Sequence, residues 1–239
     1  HGLLGSLDNW QTLAKRYADH FQVYTIDVRN HGKSPHSPEF SYDLMVKDLE
    51  DSYRDHDIEK ASIIGHSMGA KIAMNFALKN PSKVETLVSA DMSPVAGSSD
   101  HDFIFKALNS IDMEEVENRS DAEDQLKHAI SDFGIRQFLL KNLDRKKDGS
   151  YEWKMNLKAL SVNYEAILEE VRSSGTYNGP TLFIKGGKSG YIKDEHNGLI
   201  SKLFSNVEYE SIENVGHWLH AEKPDEFFEI TFEFIKKNV

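Results

Sequence analysis

The sequence predicts an α/β protein, with a mostly parallel central sheet flanked by helices and a helical cap inserted between two strands. Three observations predict it. Short apolar, β-branched runs at residues 61–64, 83–90, 180–185 and 207–212 alternate with stretches of helical spacing, and strands joined through helices pair in parallel. From about residue 97 to 178 that alternation stops, and amphipathic helical stretches replace it. Every polar motif falls where a strand run ends, the edge at which open parallel sheets hold ligands. Residues 1–96 and 179–239 therefore read as the core, and 97–178 as the inserted cap.

In chain order, His1-Gly2-Leu3-Leu4-Gly5 is a glycine-punctuated turn. An open parallel sheet places a strand just before such a turn, so residues are expected to precede His1. Trp10, Leu13, Ala14 and Tyr17 share one helical face. Residues 22–28 alternate as a strand and end in the polar loop Asp27-Val28-Arg29-Asn30-His31-Gly32, where Asp27 and Arg29 read as loop locks rather than a binding site. Residues 42–55 form a helix through Leu44, Met45, Leu49 and Tyr53. Within the cap, Ser120 followed by Glu123 has the form of a capping box, and helices are expected over 135–142 and 157–171. Arg145-Lys146-Lys147, the one basic cluster of the cap, reads as a solvated loop, contact with a phosphate being its alternative. Residues 197–204 and 224–237 supply the closing helices.

Composition narrows the function. A chain of 239 residues with 39% hydrophobic content can bury a real core, and a net charge of -11 repels nucleic acid and anionic membranes. No cysteine is present, which excludes disulfides, thiolate catalysis and cysteine-held metal. No apolar run is long enough for membrane insertion, so a cytoplasmic protein is the expectation.

The chemistry centres on Gly65-His66-Ser67-Met68-Gly69, between a strand run and a helical run. A serine on so tight a strand-to-helix turn has its hydroxyl lifted clear of the sheet, and residues two before and two after must lack bulk. Gly65 and Gly69 meet that demand, and Ser67 is the candidate nucleophile. A hydroxyl needs a base, and the base an orienting partner. Of eleven histidines, His196, His217 and His220 follow the cap; His217 leaves the last strand beside Gly216, where a base would hang over Ser67. His220 is its competitor, with a structural hydrogen bond as the plainer role. The loop after the post-cap strand, Gly186-Gly187-Lys188-Ser189, carries no carboxylate, and Asp194 lies further on. Asp91, ending the strand after the Ser67 helix, is the better acid, a turn cap being its alternative. Ser189 is auxiliary, adding a hydrogen bond to His217 or Asp91. The backbone N–H groups of Leu3 and Met68 form the candidate oxyanion hole, and His1 anchors the first loop. Phe138, Leu139 and Trp153 are candidate acyl-pocket residues, core packing being the alternative.

The segments HGLLGSLDNW, DVRNHGKSP, GHSMGAK, ADMSPV, FLLKN, GGKSGYI and GHWLHAEKPD together resemble α/β-hydrolase esterases of the YbfF type, close to the mammalian abhydrolase-domain proteins. The resemblance spans essentially the whole chain. It implies an esterase or thioesterase (carboxylesterase class) for small-molecule acyl esters, acyl-CoA included, with the α/β-hydrolase fold, a helical cap and no cofactor. It also implies an acid at Asp91 and a serine at Ser189, beside Ser67 and His217. One loop departs, reading GGKSGYI against GGNSPYV in the family, and the serine is common to both. C–C bond hydrolysis, perhydrolysis and ligand binding without catalysis are the rival functions on this scaffold.

Overall fold

The computed structural model describes residues 1–98 and 102–239. After a 3-10 turn at Leu7–Trp10, helix α1 (Gln11–Ala18) buries Leu13 and Tyr17. Residues 22–28, expected to be a strand, join no ladder, and Tyr24 and Ile26 stand more than two-fifths exposed. Alternation specifies a strand's faces, but only a hydrogen-bonded neighbour makes the strand, and none pairs here among the described residues. Helix α2 (Tyr42–Asp55) begins at Ser41, whose side chain accepts from the Leu44 N–H.

Strand β1 (Ala61–His66), helix α3 (Met68–Lys79) and strand β2 (Val84–Ala90) form the first complete βαβ unit. The chain then leaves the sheet for residues 97–178, of which 99–101 lie outside the described residues. Helices α4 (Asp102–Asn109), α5 (Arg119–Lys127) and α6 (Phe133–Leu139) come first. The expected capping box begins two residues earlier than Ser120: Asn118 caps α5, and Asp121 Oδ2 accepts from the Asn118 N–H. An antiparallel hairpin follows, β3 (Leu143–Arg145) with β4 (Tyr151–Trp153), where no strand was expected. The signal was Asp148-Gly149, with Gly149 at φ 92° closing the turn that a side chain would strain. Helices α7 (Leu157–Val162) and α8 (Tyr164–Leu168) replace the single expected helix over 157–171. Asn163 separates them at φ -99° and ψ 17°, its side-chain amide donating to Ala159 O at 2.8 Å and to Pro38 O at 3.0 Å.

The chain returns through strand β5 (Thr181–Gly186), helix α9 (Asn197–Leu203), strand β6 (Val207–Ile212), the short helix α10 (Leu219–Glu222) and helix α11 (Pro224–Asn238). The four long strands lie in the order β1-β2-β5-β6, all parallel. Period-two alternation sends Leu87 and Phe183 to the face covered by α2, α3 and α9, and Val88, Leu182 and Ile184 to the face covered by α1 and α11. A third apolar cluster lies within residues 97–178 and reaches Tyr42, Met45, Met68 and Ile72 of the core helices. The excursion leaves from the carboxyl end of β2, and the chain re-enters the sheet at the amino end of β5.

Candidate active site

The site is built at the ends of β1 and β2. Ser67 has φ 53° and ψ -121°, a conformation that costs a non-glycine residue on the order of 1–3 kcal/mol and persists only where its surroundings impose it. Its neighbours explain how. A Cβ on Gly65 would sit 2.3 Å from the Gly69 carbonyl oxygen, and one on Gly69 would sit 2.6 Å from that of His1. Only glycines let the strand, the helix and the first loop come this close. The Ser67 N–H donates to Ala90 O at 3.2 Å, which ties the turn to β2.

One residue beyond that anchor is Asp91, fully buried and also at positive φ, 50°. Its carboxylate is filled with donors. Oδ1 accepts from the Gly186 N–H at 3.0 Å, while Oδ2 accepts from His217 Nδ1–H at 2.7 Å and from the Ser189 hydroxyl. The hydrogen bond from Nδ1 fixes the neutral imidazole of His217 with its lone pair on Nε2. The His217 ring stacks on Tyr191, centroids 4.1 Å apart, and its backbone carbonyl accepts from His66 Nε2–H at 2.8 Å.

The first loop is held separately. His1 Nε2 accepts from the Val28 N–H at 3.0 Å, and His31 Nε2 accepts from the Leu4 N–H at 3.2 Å. Among the described residues, neither the Leu3 nor the Met68 N–H donates to a turn, loop or cap carbonyl. Met68 is the first residue of α3, whose opening N–H groups have no partner within the helix. Asp27 accepts from the Leu7 and Lys33 N–H groups, and Arg29 grips Asp48 through two nitrogens at 2.6 and 2.7 Å, so both lock loops.

These groups face a cavity of about 530 Å³, bordered by Leu3, Ser67, Met68 and His217 on the sheet side and by Ile104, Phe138 and Tyr164 of the insert. Phe138 lines it, and its ring meets Trp218 at 5.6 Å. Leu139 borders it with its side chain wholly buried, so it shapes the wall from behind. Trp153 does not line it. Strand pairing with Leu143 turns that indole onto the apolar cluster of the insert, away from the cavity. His220 also departs from expectation: its Nδ1 has no hydrogen-bond partner among the described residues, and the ring is held by stacking on Trp10 at 4.7 Å. Among the described residues no group of three histidine or acidic side chains is placed to hold a metal ion.

Residues 1–224 match the family described as alpha/beta hydrolase fold. The chain belongs to that family. Its similarity extends to an sn-1-specific diacylglycerol lipase, ABHD11, of Danio rerio, 40% identical over 99% of this chain and 77% of that protein. Esterase YbfF of Escherichia coli is 36% identical over 94% of this chain and 87% of that one. A solved marine microorganism esterase is 41% identical, covers 98% of this chain and 92% of that chain, and superposes with a TM-score of 0.96. Relatives of the esterase and lipase type support ester hydrolysis by this α/β hydrolase.

Three residues of this α/β hydrolase's site went unnoticed in the sequence. His31 and His66 are buried, and burial holds both imidazoles neutral, His31 with its pKa pushed down to about 4 and His66 well below the ordinary value. Lys71, four residues after Ser67, is 2% exposed. Its available signal was a lysine inside an otherwise apolar helical run, Met68-Gly69-Ala70-Lys71-Ile72-Ala73.

Proposed function

We propose that the chain is a serine hydrolase that cleaves carboxylic acyl esters through an acyl-enzyme, with Ser67 as nucleophile, His217 as base and Asp91 as orienting acid. The observation that carries this reading is the hydrogen-bonded line from Ser189 through Asp91 to His217, ending at an apolar cavity that Ser67 shares. The Nδ1–H tautomer leaves Nε2 of His217 to take the Ser67 proton as the hydroxyl attacks the acyl carbonyl. The oxyanion is held by the N–H groups of Leu3 and Met68, with the amino end of α3 adding its partial positive charge. His217 then returns the proton to the departing alcohol, and water repeats the sequence on the acyl-enzyme.

Residues 97–178 serve in this reading as the cap. They roof the cavity with Ile104, Phe138 and Tyr164, which suits an acyl chain. Acyl-CoA thioesters are the second substrate class that the same attack would serve. A panel of p-nitrophenyl esters and acyl-CoAs, run on the wild type and Ser67→Ala, tests the proposal. Turnover that survives Ser67→Ala, or a fluorophosphonate probe that leaves Ser67 unlabelled, overturns it.

A further inference from the structure

The insert joins the core through a narrow neck, and one side chain of the core reaches into it. The outgoing and returning segments are bonded to each other: the Gly97 N–H donates to Leu168 O at 2.7 Å, and the Val171 N–H donates to Pro94 O at 2.8 Å. From α3, Lys71 Nζ donates to Glu169 O at 2.7 Å and to Leu168 O at 3.4 Å. Those carbonyls close α8, and the end of a helix leaves carbonyls without intrahelical partners and with partial negative charge. An ammonium is the natural group to meet them.

The arrangement is costly, which is why it is informative. Burial lowers the Lys71 ammonium to about 8 despite the opposing charges of Glu170 and Glu169. A methionine would fill the same path along α3 without that desolvation. What the lysine adds is position. It fixes the end of α8 to the helix that begins at Ser67, and α8 carries Tyr164, Ile167 and Leu168 into the cavity wall. The Tyr42 hydroxyl of α2, which also borders the cavity, donates to Ile167 O at 2.8 Å, so α8 is held from two core helices.

We infer that Lys71 is a positioning residue for substrate selection: by clamping the neck, it sets how far the α8 wall stands from Ser67 and so which acyl chains the cavity accepts. This rests on the hydrolase reading above. Displacement of a binding wall by about 1 Å is enough to change rates by an order of magnitude or more. The effect falls on chains long enough to touch α8.

The test is a chain-length profile, with p-nitrophenyl acetate and p-nitrophenyl octanoate hydrolysed by wild type, Lys71→Met, Lys71→Gln and Lys71→Arg. Competent sites are counted by fluorophosphonate labelling of Ser67. The octanoate-to-acetate ratio of kcat/KM should fall about tenfold in the methionine and glutamine variants, mainly through KM. Arginine, which can still donate to both carbonyls, should restore most of it. A ratio within about twofold of wild type in a labelled methionine or glutamine variant overturns the inference. So does loss of labelling in both, which would assign Lys71 to stability alone. A wild type that labels nothing would instead sink the hydrolase reading.

Discussion

Asp91 and His217, 126 residues apart in the chain, meet through a 2.7 Å hydrogen bond, and the carboxylate that accepts it is fully buried. No solvent competes for that oxygen. The bond therefore selects one tautomer of His217, and the proton on Nδ1 decides whether Nε2 can act as a base.

Asp91→Asn puts this to the test. An amide nitrogen facing Nδ1 would favour the opposite tautomer, with Nε2 protonated and unable to accept from Ser67. We expect kcat on a p-nitrophenyl ester to fall roughly 10⁴-fold with the fold intact. A loss below about tenfold would move the acid role to another carboxylate.

Ser189→Ala should act more weakly. The Ser189 hydroxyl donates to the same Oδ2 that His217 uses, while Oδ1 keeps the Gly186 N–H. Removing one of three donors from a buried carboxylate costs on the order of 1–3 kcal/mol, hence a kcat loss of about 5- to 150-fold. A collapse equal to that of Ser67→Ala in the same assay would make Ser189 a full member of the machinery.

The parts legible in the sequence are those that local chemistry dictates. Gly65 and Gly69 announce the turn at Ser67 because their Cβ positions are occupied by backbone, and a capped helix at Tyr42–Asp55 appears with the expected bounds. The pairing of Asp91 with His217 could be anticipated because the post-cap loop lacks a carboxylate. What escaped depends on distant partners. Residues 22–28 alternate like a strand yet join no ladder among the described residues, and Lys71 looks like a surface lysine until the carbonyl of Glu169, 98 positions on, is placed beside it. Trp153 and Phe138 carry the same apolar signal, and only the β3–β4 pairing separates core from cavity.

Acid should unfold the protein early because of its buried histidines. His31 and His220 have folded pKa values lowered to about 4 and about 3 by burial, with His66 lowered as well. The unfolded chain takes up these protons near pH 6.5, before the folded one does. Stability is thus fully present above about pH 6.5 and declines as pH falls, by up to about 1.4 kcal/mol per pH unit for each histidine. Urea midpoints measured from pH 7.5 to 5, above the main carboxylate range, should show the decline. His220→Phe keeps the stack on Trp10 without a titrating group, so its slope should be shallower; an unchanged slope would remove His220 from the account.

Phe138 and Trp153 should separate in kinetics as they do in space. Phe138 faces the cavity and packs on Trp218, next in sequence to His217, so Phe138→Ala removes apolar surface from the cavity proposed to take the acyl chain. At roughly 25 cal/mol per Å² of apolar contact, the loss corresponds to about a five- to tenfold rise in KM for medium-chain esters. Trp153 is paired in the hairpin and packs on the insert's core, so Trp153→Ala should lower the melting temperature through a cost of roughly 1–3 kcal/mol. Its chain-length profile should stay like wild type. If Trp153→Ala instead raised KM selectively for longer acyl esters, while Phe138→Ala only destabilised, the division between wall and core drawn here would be reversed.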